Sequence, residues 1–231
     1  ANTLLGNSGN DTIQGAGGAD ILLGGNGDDR LILNSSNITS LSTPLVTGGN
    51  ASQPSLIDGG TGIDTLDLDG AEINLNLDLI ASQPTAVTPA RLTSTEAINL
   101  TGSGNNFITL LQDSSTSVAS INWLNATSAP SLGFSSGSYT IPSTSQRRQL
   151  MITGNTGDGV NLMSSAWTIQ GNISAAASST YAGTYNIWDS VNGLSQLIIQ
   201  SSVTVSQLTS PLVLDLDRNG ICLLYTSDAA D

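Results

Sequence analysis

Gly6-Asn7-Ser8-Gly9-Asn10-Asp11-Thr12-Ile13-Gln14 runs into Gly15-Ala16-Gly17-Gly18-Ala19-Asp20-Ile21-Leu22-Leu23, and that into Gly24-Gly25-Asn26-Gly27-Asp28-Asp29-Arg30-Leu31-Ile32. Each unit carries Gly at positions one and four, Asp at position six and a large aliphatic residue at position eight (Ile13, Leu22, Leu31). Upstream, Asn2-Thr3-Leu4-Leu5 fits positions six to nine of an earlier unit. A further good copy is Gly59-Gly60-Thr61-Gly62-Ile63-Asp64-Thr65-Leu66-Asp67.

The spacing predicts a shape. The first six positions make a turn, in which Gly permits positive φ and lets carbonyls come close to a cation. The last three make a short strand with one aliphatic side chain pointing inward. A single unit cannot bury that side chain, so units must stack, here into a right-handed parallel β-roll. Successive turns fall on opposite edges, and each turn lies beside the next but one. Between two such turns lies a cage of backbone carbonyls and two Asp carboxylates, a shell of hard oxygens suited to calcium. The structural alternative is that these Asp residues only cap turns.

Composition points the same way. The chain of 231 residues holds 18 Asp+Glu against 5 Lys+Arg, a net charge of -13, and no His. All the cations are Arg, and only Glu72 and Glu96 among the acids are Glu. Such a chain repels nucleic acid and anionic lipid. No apolar run is long enough to span a membrane. The apolar fraction, 38%, sits in short spaced runs, as expected of thin strands between turns. Without His there is neither a zinc-protease motif nor a Ser-His-Asp triad, and no carboxylate pair stands out for glycoside cleavage. The reading is therefore not an enzyme.

The nonads resemble the RTX family of calcium-binding secreted bacterial proteins, whose repeat is GGxGxDxUx. Departures fall at Asn7 and Ala16, at position two. The resemblance implies an all-β fold, calcium as cofactor, and a place outside the cell after type I export. It implies that Asp11 and Asp29 share one calcium with carbonyls of Gly6, Ser8, Gly25 and Gly27. If 34–56 loops out, Asp29 and Asp64 flank a second ion, with Gly24, Asn26, Gly60 and Gly62 contributing from the same turns. Asp20 would pair with a turn further upstream.

The organisation expected is nonads over 1–33, an insertion or loop over 34–56, a further repeat and strands over 57–80, and a β-rich region over 81–210. That last region either continues the solenoid or forms a sandwich. Decayed nonads stand at Thr101-Gly102-Ser103-Gly104-Asn105-Asn106, which keeps a turn without the acid, and at Gly154-Asn155-Thr156-Gly157-Asp158. Trp167, Tyr181, Tyr185 and Trp188 suit a small core or end cap better than a sugar platform. Over 211–221, Asp215-Leu216-Asp217-Arg218-Asn219-Gly220 reads as the first half of a calcium loop of the EF-hand kind, with Asp215, Asp217 and Asn219 as ligands. Residues 222–231, which hold the one cysteine, Cys222, read as translated sequencing adapter, and the first residues as the end of an earlier repeat. The functional expectation is a calcium-binding segment of a large secreted or surface protein of adhesin type, with the repeat region of a pore-forming toxin or of a secreted hydrolase as alternatives. A cell-surface, glycan or protein target is left open.

Overall fold

The structure, a computed structural model, describes residues 1–42, 55–70, 72–77, 91–110, 134–137, 148–162, 167–175, 177, 181–191, 195–207, 213–214 and 223–224. Strand β1 (Thr3–Ser8) pairs in parallel with β3 (Ile21–Asn26), β3 with β5 (Leu56–Thr61), and β5 with β8 (Leu92–Thr93), forming the four-stranded sheet A. Across the core, β2 (Thr12–Gln14), β4 (Arg30–Leu33), β6 (Thr65–Leu68), β9 (Ala97–Asn99), β12 (Arg148–Thr153) and β16 (Ser195–Gln200) pair in parallel in that order as the spine of sheet B. The all-β parallel solenoid expected from the nonads is the fold.

A roll with two edges describes only its first rungs. After β6 the chain lacks a Gly-rich six-residue turn, so it bends into a third sheet instead of doubling back. Sheet C consists of β7 (Asn74–Asn76), β10 (Phe107–Leu110), β13 (Gly159–Leu162) and β17 (Thr204–Gln207), again parallel. Sheet A ends at β8, while sheet C runs on with sheet B to β17. Among the described residues of the β-rich region, β9, β12 and β16 extend sheet B in parallel, and β10, β13 and β17 extend sheet C. The region also adds an antiparallel extension to sheet B: β16 pairs with β15 (Gly183–Ser190), β15 with β14 (Trp167–Ala175), and β14 with β11 (Phe134–Gly137). Further on, β18 (Val213–Leu214) pairs with β19 (Leu223–Leu224).

The stretch expected as a loop after β4 contains a helix, α1 (Ser35–Ser42). Its Ser- and Thr-rich sequence has poor intrinsic propensity. Capping and burial supply the rest. Asn34 Oδ1 accepts from the N–H groups of Ser36 (3.0 Å) and Asn37 (3.1 Å), the N-cap geometry, while Ile38 and Leu41 are buried against the core.

The core is a set of aliphatic ladders. Ile13, Leu31, Leu66, Ile98, Ile152 and Ile199 are in register along sheet B. Leu22, Ile57 and Leu92 face them from sheet A, and Leu75, Ile108 and Val160 from sheet C. Each nonad's position-eight residue thus points inward, as its spacing predicts. On the opposite face of sheet B, Ala97, Met151, Ile198, Ile187, Ile173 and Tyr185 form a second buried cluster, while Trp167 belongs to the main core. Ile98 is fully buried in the middle of its ladder. Replacing Ile98 with Ala should cost about 2–5 kcal/mol, read as a lowered urea midpoint in saturating calcium. A loss below about 1 kcal/mol would mean that the ladder is not a continuous core.

Candidate metal centre along one corner

A repeated hydrogen bond links the turns. At the corner from sheet A to sheet B, Asp11 N–H donates to Asp29 Oδ1 (2.8 Å), Asp29 N–H to Asp64 Oδ1 (2.8 Å) and Asp64 N–H to Glu96 Oε2 (2.9 Å). Each position-six side chain therefore satisfies the position-six amide of the turn before it. The same device recurs elsewhere: Asn2 N–H donates to Asp20 Oδ1, Ile73 N–H to Asn106 Oδ1 and Asn106 N–H to Asp158 Oδ1, each at 2.8 Å.

What distinguishes the A-to-B corner is the second oxygen. Asp11 Oδ2, Asp29 Oδ2 and Asp64 Oδ2 are buried without a hydrogen-bond partner. At the other corners the corresponding atom is occupied. Asn37 Nδ2, from α1, donates to Asp20 Oδ2 (3.3 Å). Asn155 N–H donates to Asp158 Oδ2 (2.6 Å). Asn106 carries an amide in that place, and its Nδ2 donates to Leu100 O (3.0 Å) and Gly70 O (3.3 Å). At those corners an N–H donor fills the place. Where the chain has three carboxylates in a row, it supplies none.

Backbone carbonyls converge on the same gaps. A Cβ on Gly6, Gly24 or Gly59 would meet the Asp carboxylate of its own turn together with a carbonyl of the next: Gly24 O, Gly59 O and Ser94 O respectively. A Cβ on Gly25 would collide with Asn7 O, and one on Gly27 with Gly9 O; both glycines also hold left-handed φ, 113° and 127°. Gly25 O and Gly27 O press in the same way on Gly60 and Gly62. Side chains are thus excluded by space and by backbone conformation. Position two also demands positive φ, so the departures there are not neutral: Asn7 sits at 76° and Ala16 at 59°, a strained place for Ala.

These directions divide the carbonyls that the resemblance implies between neighbouring gaps. Along an extended strand successive carbonyls point to opposite sides. Carbonyls at positions two and four face the following turn, whereas those at one and three face the preceding one, with Asn26 O accepting Gly9 N–H and Thr61 O accepting Gly27 N–H (both 2.8 Å). The gap between Asp11 and Asp29 is therefore faced by Asn7, Gly9 and Gly24. Gly25 and Gly27 open onto the next gap, toward Asp64, and Gly6 and Ser8 hold positions whose carbonyls point upstream. Asp20 lies beside the upstream turn, as expected, with Asn2 N–H and Asn37 Nδ2 on its two oxygens. Asp215, Asp217 and Asn219 lie outside the described residues.

The electrostatics favour a cation. Burial pushes the Asp64 carboxyl up to about 6; the Asp29 N–H lowers it, and the charges of Asp29, Asp28 and Asp58 raise it again. A carboxyl raised in the folded state stabilises the fold when protonated. That contribution is complete below the ordinary Asp value and lost as pH rises through about 6. At neutral pH a charged Asp64 therefore weighs against the fold unless a positive charge joins it. Among the described residues no group of three or more His, Cys, Asp or Glu converges on one point. A metal here must draw most of its shell from carbonyls, and a purely oxygen shell fits calcium.

Two features had little sequence signal. Glu96 belongs to the acidic ladder although its turn has no Gly and no nonad. Asp28, at position five, accepts from Ile63 N–H (2.9 Å), and its own N–H donates to Asn10 Oδ1 (2.9 Å), a second ladder on the exposed side.

Comparison with known proteins bears on the first rungs. Residues 1–31 match the RTX calcium-binding nonapeptide repeat, in four copies. No curated protein and no solved structure matches the chain. Residues 1–31 of this chain are RTX repeats, which bind calcium, and they form the opening rungs of its solenoid.

Proposed function

We propose that the chain is a calcium-locked solenoid segment of a secreted or cell-surface protein, with ions held between successive turns of the A-to-B corner. One ion lies between Asp11 and Asp29, and a second between Asp29 and Asp64. The observation that carries this reading is the row of buried, partnerless Oδ2 atoms confined to that corner. Glycine turns aim carbonyls at the same gaps.

The net charge of -13 then has a use. Without the ion, neighbouring carboxylates repel and the thin first rungs bury little apolar surface, so metal binding is folding free energy. At low calcium inside a cell the segment stays open enough to pass an export channel. Outside, at about 10⁻⁴ to 10⁻³ M calcium, it closes. A Ser-, Thr- and Asn-rich solenoid stiffened in this way suits a stalk or adhesin at the surface better than a catalytic unit.

Calcium titration followed by far-UV circular dichroism should show a gain of β signal with a midpoint of about 10⁻⁴ to 10⁻³ M, and magnesium should not reproduce it. A chain equally folded in chelator and in calcium would remove the basis for the ligands. Asp29→Asn keeps an oxygen for Asp11 N–H and removes a charge from both gaps. It should raise the calcium midpoint about tenfold or more, since losing one charged ligand weakens such sites; an unchanged midpoint would exclude Asp29 as a ligand. Asn106→Asp makes the converse change, setting a buried carboxylate against Leu100 O and Gly70 O. It should cost about 1–3 kcal/mol in chelator and less in calcium, read from urea melts; equal losses in both would mean that no cation enters that corner.

A further inference from the structure

Beyond the nonads, the A-to-B corner has one more turn. In sheet register Thr93 lies beside Asp58, and Ala97 beside Thr65. Residues 94–96 therefore span the corner that 59–64 span in the rung before. The short turn carries no Gly and no Asp. It ends on Glu96, which is 3% exposed. Glu96 Oε2 nevertheless accepts Asp64 N–H at 2.9 Å, against 2.8 Å for each Asp-to-Asp step of the same ladder. The extra methylene of Glu makes up the reach that the shorter loop gives away.

The gap above this turn shares two features with the two before it. Asp64, 1% exposed, points a partnerless Oδ2 into it. Ser94 O lies where a Cβ on Gly59 would fall, beside that oxygen. Ser94 holds positive φ, 51°. Gly59 O occupies the equivalent place beside Asp29, and Gly24 O beside Asp11. Thr95 Oγ1 turns back to Thr93 O (3.3 Å) and donates nothing to the gap.

We infer that Asp64 and Glu96 hold a further calcium ion, with Ser94 O in its shell, so that the metal-bound corner extends one turn past the last nonapeptide. The inference rests on the calcium reading of the corner. It assigns Glu96 as a ligand in a turn that carries no repeat signature. Asp64 then joins two ions, as Asp29 does, and the ion chain ends at the turn between β8 and β9, the last rung of sheet A.

Calorimetric titration of the full chain with calcium chloride tests it. Wild type should bind about three ions and Glu96→Gln about two. The amide oxygen of Gln can still accept Asp64 N–H, so the ladder survives, and removing one of two facing charges should leave the melting temperature in chelator unchanged or raised. A merely structural Glu96 would instead lower that temperature and leave the stoichiometry alone. A wild-type count of about two, or an equal count in both proteins, would overturn this site while leaving the nonad sites standing. No binding by wild type would overturn the calcium reading as a whole. Should Glu96→Gln fail to fold even in calcium, Asp64→Asn reads the same gap. It removes about two ions if the site exists and about one if it does not.

Discussion

One hydrogen bond sets the terms for the rest of this molecule: the position-six amide of each turn donates to the position-six side chain of the turn stacked on it. A corner that carries backbone from one sheet to another leaves amides that neither sheet pairs, and a buried unpaired N–H is costly. The ladder removes that cost with a side chain of fixed reach. Asp, Asn and, at the shortened turn, Glu can all do it. The rise between rungs is thereby fixed at the corners as well as in the strands, and the inward aliphatics come into register.

The same solution creates a second difficulty. A carboxylate that gives one oxygen to an amide has another to place, in surroundings where burial already disfavours its charge. The chain meets this in different ways at different corners. Asn106 replaces the oxygen with an amide and turns two carbonyls from competitors into acceptors. Asp158 folds its own turn back so that Asn155 N–H reaches it. Asp20 borrows an amide from helix α1. Among the described residues, the Oδ2 atoms of Asp11, Asp29 and Asp64 have no donor, and glycines there hold carbonyls against the gap. A cation is the one partner that satisfies both kinds of oxygen at once.

Sheet B gives this arrangement its continuity. It accompanies the rungs from β2 to β16 while the facing layer passes from sheet A to sheet C. Its outer face changes character along the way. One row of it is polar, with Arg30 ion-paired to Asp67, Asn99 Nδ2 donating to Asp67 Oδ1 (2.7 Å) and Thr153 Oγ1 to Asn99 Oδ1 (3.0 Å). Toward the antiparallel extension it becomes the buried cluster around Met151, Tyr185 and Ile198. The acidic corner runs from Asp11 to Glu96, and the second cluster starts at Ala97, so the two meet at the rung of β9.

How far this could be read in advance follows from where the periodicity lies. The nonads made the parallel stacking, the inward position eight and the acidic edge legible, because Gly, Asp and an aliphatic recur at fixed offsets that one geometry satisfies. The carbonyl set was not legible, since a carbonyl's direction depends on strand register and carries no residue signature. Helix α1 was hidden because its stability comes from an Asn34 cap and two buried side chains, Ile38 and Leu41, in a sequence that is otherwise Ser- and Thr-rich. Sheet C was hidden for a related reason. Its corner residues, Asn106 and Asp158, looked like decayed repeats, whereas they are working members of a second ladder that needs no metal. Glu96 is the clearest case. A shortened turn and a lengthened side chain cancel in space, and no pattern of residue types at constant spacing can register a compensation of that kind.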